Sequence, residues 1–214
     1  MGRDALQEVK VSEKTHWENV YSEKSAQEVS WYQPTPATSL QLIENAGLGK
    51  PQALIDVGGG ASTLVDGLLA KGYTDISVLD IAGAALTLAR ARLGLRASGV
   101  HWIESDITQF QPERQYALWH DRAVFHFLTT TERRRHYVEV LMQGLQPGGT
   151  LIMAAFAIGG PLRCSGLDVV QYDAEKLGAE LGPPFHLLET VTEQHLTPAG
   201  KTQSFNYFRY LRTL

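Results

Sequence analysis

The stretch Ala53-Leu54-Ile55-Asp56-Val57-Gly58-Gly59-Gly60-Ala61-Ser62 is an apolar run that ends in an acid and then in backbone almost bare of side chains. The run reads as a buried strand. The glycines let the chain turn sharply, because Gly takes φ > 0 with no Cβ to clash. A helix expected from Ser62 to Lys71 then offers its free N–H groups beside the turn, the arrangement that cradles a nucleotide. A second strand, Ile76-Ser77-Val78-Leu79, ends in Asp80, about 20 residues past the glycines, where a carboxylate accepts hydrogen bonds from both ribose hydroxyls. Val100-His101-Trp102-Ile103 is a third strand, and it runs into Glu104-Ser105-Asp106-Ile107.

The order Asp56-x-Gly58-x-Gly60 differs from the G-x-G-x-x-G of dinucleotide turns. An acid at the strand tip repels a diphosphate and suits a cofactor with a cationic amino-acid end. The D-x-G-x-G turn, Asp80 and the acid of the third strand together resemble the class I S-adenosylmethionine-dependent methyltransferases, over about residues 50 to 160. That resemblance implies S-adenosylmethionine as cofactor. It places Asp56 and the backbone of Gly58 and Gly60 at the methionine end, Asp80 at the ribose, Asp106 with Ile107 at the adenine, and Ile81 on the ring's other face. Trp31 joins them as a cofactor contact from the leader. Each feature alone has a plainer reading: a glycine turn is often just a turn, and an acid after a strand is often a helix N-cap. Glu104 would replace Asp106 if the register slipped by two.

Outward from this centre, strands and helices alternate. A helix from about Pro36 to Ala46 ends at Gly47, a suitable C-cap. Ala82 to Leu93 is helical by its Ala, Leu and Arg content. Tyr116 to Trp119 is a fourth strand ending at His120 and Asp121, Glu132 to Leu145 an amphipathic helix stopped by Pro147-Gly148-Gly149, and Thr150 to Phe156 a fifth strand. After a helix near Ala174 to Glu180, the β-rich runs His186 to Thr192 and Ser204 to Tyr210 are joined by a loop, Glu193 to Gln203. The expected fold is α/β, a Rossmann-like doubly wound sheet. The resemblance makes it seven-stranded and mostly parallel, with an antiparallel C-terminal strand. Residues 1–35, polar with interspersed aromatics, form a leader or lid, and 36–214 form the catalytic domain.

Composition limits the partners. The 214 residues are 43% hydrophobic and 20% charged, as in an ordinary globular protein, with 19 basic against 23 acidic side chains and net charge −4. No global field holds a polyanion, so nucleic acid is disfavoured as substrate. No apolar run reaches the roughly 18 residues of a membrane span. The polar start, Met1 to Lys14, is no secretory signal, and a cytoplasmic location is expected. The single Cys164 forms no internal disulfide.

A sulfonium already carries a reactive methyl, so the protein mainly positions groups and excludes water. His120 and Asp121 are the catalytic candidates, His120 as general base or as pocket lining. Candidates for substrate contact are Tyr32 in the leader, His126 among apolar neighbours, Arg163 and Cys164 in the Gly/Pro-rich loop after the fifth strand, and His195 in the terminal loop. Cys164, His126 and His195 fit no metal-ligand spacing, so no metal is expected. The sequence lacks the Asn/Asp-Pro-Pro-aromatic pattern of many enzymes that methylate planar nitrogens, which disfavours those substrates. A small-molecule acceptor is the expected partner. The leader's likeness to some protein-lysine methyltransferases keeps lysine as an alternative, and a non-enzymatic nucleoside-binding role is the third. Oligomeric state is not readable.

Overall fold

The structure, a computed structural model, describes residues 12–213. In chain order it runs α1 (Glu13–Glu23), α2 (Ala37–Asn45), β1 (Leu54–Val57), α3 (Leu64–Ala70), β2 (Ile76–Asp80), α4 (Gly83–Leu93) and β3 (Val100–Glu104). Next come β4 (Tyr116–Arg122), α5 (Thr131–Gly144), β5 (Leu145–Phe156), the short β6 (Arg163–Cys164) and β7 (Leu167–Asp168), α6 (Ala174–Leu181), β8 (Phe185–Leu196) and β9 (Thr202–Arg212). The main sheet has seven strands in the order β3-β2-β1-β4-β5-β9-β8. All neighbours are parallel except β9, which is antiparallel to both β5 and β8. The expected α/β sheet is therefore present.

Alternation along each strand sorts the core into two layers. Leu54, Ile76, Val78, Leu118 and Ile152 face α2, α3 and α4, whereas Ile55, Val57, Leu79, Trp119 and Leu151 face α5 and α6. Strand order reverses between β1 and β4, and a doubly wound sheet opens its ligand crevice at that point, at the carboxyl ends of the strands.

Two sequence expectations need correction. His120 and Asp121 do not follow the fourth strand but lie within it. β4 continues to Arg122 because the backbone of Asp121 still pairs with Val57 and Met153, and polar side chains do not end a strand paired on both sides. The terminal loop is also shorter than expected. β8 runs to Leu196 and β9 starts at Thr202, so Pro198 and Gly200 sit in a tight connection and His195 belongs to a strand.

Candidate active site

At the end of β1 the chain turns back with Gly58 at φ 67°, its N–H donating to the Leu79 carbonyl at 2.7 Å. A Cβ on Gly58 would collide with Val124 Cγ2. On Gly59 it would meet the Asp56 carboxylate, and on Gly60 the Asp80 carboxylate. The three glycines thus let two acids and the β4 exit loop stand against one turn.

Asp80 is 6% exposed and accepts from the Ala82 N–H at 2.9 Å. Burial pushes its carboxyl up to about 7, although the Ala82 and Gly60 amides pull the other way. Asp56, also buried, is 2.7 Å from His120 Nδ1 through Oδ1, while Oδ2 has no hydrogen-bond partner. Asp106 caps its own turn, accepting from the Thr108 N–H and hydroxyl at 2.8 Å each. Of the two acids at the end of β3, Asp106 lines the large cavity. Glu104 turns outward to Lys14 at 2.6 Å.

Two cavities open along the carboxyl edge of the sheet and share Tyr21, Trp31, Val57, Gly58 and Arg122. The larger encloses about 850 Å³ of empty space, including its open mouth, within the range of small-molecule sites. One end is built from the tips of β2 and β3, with Asp80, Ile81, Asp106 and Ile107. The other is built from the tips of β4, β5 and β9, with Arg122, Phe156 and Phe205, and from Cys164. The smaller cavity lies over the glycine turn and is lined by Asp56, His120, Ser39, Tyr32 and Thr63 among others.

α1 and the segment that follows it roof this crevice. Trp17 packs edge-on against Trp31 and Phe127, at ring-centroid distances of 5.6 and 5.1 Å, and Trp31 Nε1 donates to the Tyr21 hydroxyl. Glu18 accepts from the Gly83 and Ala84 amides at 2.8 and 3.0 Å and so caps α4, whose own N-cap residue, Ala82, has no side chain to do it. Glu13 pairs with Arg133 on α5. Further on, Glu193 of β8 accepts from Gln33 and Thr38, and Arg122 donates to the Trp31 carbonyl and the Tyr207 hydroxyl.

The remaining candidates fall in different places. One-residue alternation puts His120 on the Asp56 side, where Nε2 lies 2.9 Å from the Ser39 hydroxyl. Asp121 points to the opposite face, is fully buried and accepts from the Val124 and Phe125 amides and the Tyr137 hydroxyl. Those bonds hold the exit loop, in which Ala123 takes φ 68°, a strained value for a residue with a Cβ. His126 is buried with neither ring nitrogen partnered, and burial lowers it to about 3. It packs edge-on behind Phe127 and tilted against Phe156, two residues that line the cavity. Arg163 lies outside both cavities, exposed and paired with Asp168 at 3.1 Å. His195 is buried against the Ser30 carbonyl at 2.7 Å, away from both cavities. Arg122, Phe127, Phe156 and Phe205 went unread in the sequence. Arg122 follows directly on His120-Asp121, and its alternation with His120 was the available signal.

This crevice lies at the switch point of a doubly wound sheet, where such folds hold their ligands. Residues 54–149, from β1 into β5, match the family described as a methyltransferase domain. That match supports reading the chain as a class I S-adenosylmethionine-dependent methyltransferase with S-adenosylmethionine as methyl donor. No curated protein matches the chain. An S-adenosylmethionine-dependent methyltransferase from Anabaena variabilis superposes with a TM-score of 0.74 at 17% identity, over 94% of this chain and 96% of that one. The N-methyltransferase NodS from Bradyrhizobium japonicum, in complex with S-adenosyl-L-homocysteine, gives 0.70 at 18%, over 91% and 97%. A structure concerned with conversion of a disulfide bond into a thioacetal group during echinomycin biosynthesis gives 0.71 at 18%, over 92% and 90%. At these identities the likeness is one of fold. Among the described residues no helix is long and apolar enough to cross a membrane.

Proposed function

We propose that the enzyme methylates a small-molecule acceptor, with the cofactor laid along the carboxyl edge of the sheet and the acceptor beyond it at the β4–β5–β9 end. The observation that carries this reading is the roofed crevice, in which Asp56, Asp80 and Asp106 stand at successive strand tips on one side and aromatic rings on the other. The residues present fit the cofactor. Asp56 Oδ2 is a buried acceptor without a partner, suited to a cationic amino group, and the turn that adjoins it tolerates no Cβ. Asp80 would hold the ribose, Asp106 and Ile107 the adenine edge, Ile81 the ring face, and the Gly58–Gly60 backbone the methionine end. Trp31, shared by both cavities, would close over the junction.

S-adenosylmethionine supplies a methyl group already activated on a sulfonium, so this chain's residues contribute orientation and a dry site. Trp17, Tyr21 and Trp31 exclude water from above. His120 is a positioning residue: it holds Asp56 while Ser39 holds it. Asp121 likewise acts through the exit loop and touches neither cavity. That arrangement supports a small acceptor over a lysine side chain, since a lysine channel calls for a carboxylate at the amine and Asp121 is turned away.

The test is methyl transfer from tritiated cofactor to cell extract, separated into protein and small-molecule fractions. Label in the small-molecule fraction is expected, and label confined to protein overturns the reading. For His120→Ala, weakened cofactor binding with an unshifted kcat–pH profile is expected. A lost basic or acidic limb would make His120 a proton carrier instead.

A further inference from the structure

The β4–β5–β9 end of the large cavity is walled by Phe127, Phe156, Phe205 and Trp31, and its polar groups are Arg122, Cys164 and Gln203. The carboxylates among the described lining residues all lie elsewhere. Asp80 and Asp106 stand at the β2–β3 end, Glu13 on α1 pairs with Arg133, and Asp56 lines the smaller cavity with His120. Arg122 is held on one side by the Tyr207 hydroxyl (2.8 Å) and the Trp31 carbonyl (3.0 Å), yet its buried Nη2 has no hydrogen-bond partner. Glu193 comes within 3.8 Å of Nη2, and its two oxygens already accept from Gln33 at 2.9 Å and Thr38 at 2.5 Å. A buried donor left unmade in this way is costly, and an anion would satisfy it.

We infer that the acceptor is a thiol carried on an aromatic skeleton, bound as its thiolate with the sulfur against the Arg122 guanidinium. This rests on the reading of the cavity as a methyl-transfer site. The aromatic walls match a ring by edge and face contacts. An amine would arrive as an ammonium and meet a guanidinium whose neighbouring carboxylate, Glu193, is already held by Gln33, Thr38 and Tyr207. An alcohol or phenol would need a base, and that end of the cavity offers none. His126 is pushed down to about 3 and sits behind Phe127 and Phe156. Burial pushes the Cys164 thiol up to about 11 and raises Tyr207, so both keep their protons. His195, from β8, is also lowered by burial and turned to the Ser30 carbonyl.

Of thiol, alcohol and phenol, the thiol needs the least help. Its ordinary pKa is about 8.5 against about 10 for a phenol. An opposite charge within a few ångströms lowers it by about 1–3 units, into the neutral range. The thiol proton leaves to solvent on binding. A sulfur lone pair then forms the new S–CH₃ bond as the sulfonium–CH₃ bond breaks, and that electron pair stays on the departing sulfur as a neutral thioether. No further proton moves.

Three isosteres decide the matter: phenylmethanethiol, benzyl alcohol and benzylamine, titrated by calorimetry into enzyme saturated with S-adenosylhomocysteine at pH 7.5. Each titration is run in two buffers of different ionisation heat. The thiol is expected to bind at least about tenfold more tightly than the amine, the equivalent of one pKa unit, and to release close to one proton. Arg122→Gln should lose the proton release, and Arg122→Lys should keep part of it. Because Arg122 also borders the smaller cavity and holds Trp31, proton release is compared in each variant saturated with S-adenosylhomocysteine, and a variant that cannot be saturated leaves the wild-type comparison to decide. Mass spectrometry after incubation with S-adenosylmethionine should find methyl benzyl sulfide. Tighter amine binding, or thiol binding with no proton released by the wild type, overturns the thiolate inference and leaves the methyltransferase reading intact. Failure of wild-type enzyme to bind S-adenosylhomocysteine overturns the cavity reading itself. Should either Arg122 variant fail to fold, the wild-type comparison of the three isosteres still decides.

Discussion

The two ends of the large cavity are built by different means. At the β2–β3 end, Asp80 and Asp106 each sit at the tip of their own strand, one and three residues past an apolar run, and the turn that faces them is three consecutive glycines. At the β4–β5–β9 end, Arg122, Phe156, Cys164 and Phe205 come from four elements spread over more than eighty positions and meet only because the sheet order brings those elements together. The first end is charged and set by local sequence. The second is aromatic and set by topology. A shared donor with a variable acceptor calls for this division, since strand-tip geometry repeats whatever is added beyond it.

The sharpest way to break the contrast is Gly58→Val. The position needs φ 67° and leaves no room beside Val124, so cofactor binding should vanish by calorimetry. A variant that still binds would mean the turn is not the hinge of both ends. Asp121→Ala strips acceptors from two buried amides and the Tyr137 hydroxyl, and should cost about 3–5 kcal/mol in denaturant unfolding. A loss under about 1 kcal/mol would remove the exit loop from the account.

Asp80 makes the charged end sensitive to pH. Its carboxyl is raised to about 7 in the fold, so the native state binds more protons than the unfolded chain between the ordinary carboxylate range and 7. Its contribution to stability is complete below about 4 and is lost as pH rises through about 7. Relative to wild type, Asp80→Asn should gain up to about 1.4 kcal/mol per pH unit across that window. Hydrogen bonds from ribose favour the ionised form, so cofactor affinity should rise up to tenfold per unit toward about pH 7 and flatten above it. Affinity independent of pH from 5 to 8 would contradict this. Arg163→Ala is the smallest change: an exposed ion pair outside both cavities should cost about 0–1 kcal/mol and leave turnover unaltered. A marked drop in turnover would extend the aromatic end to the β6–β7 hairpin.

The same contrast explains what was legible beforehand. The strand–glycine–acid pattern at Asp56 and Asp80 named the fold because each signal lies within a few residues of its strand. His120 and Asp121 were visible as a pair at a strand end, but their opposite orientations follow from a strand that continues to Arg122, and that depends on pairing with Val57 and Met153. His195 read as loop because Pro198 and Gly200 mark a turn just beyond it, yet the backbones of Gln194, His195 and Gln203 belong to a paired hairpin. The aromatic wall had no local signature, since Phe127, Phe156 and Phe205 look like ordinary core residues one at a time.

Equilibrium binding of S-adenosylhomocysteine to wild type, Asp80→Ala and Phe205→Leu tests the division of the crevice most directly. Loss of about 1.5–3 kcal/mol is predicted for Asp80→Ala, with Phe205→Leu within about 0.5 kcal/mol of wild type. Equal losses in the two variants, or undiminished binding by Asp80→Ala, would contradict it.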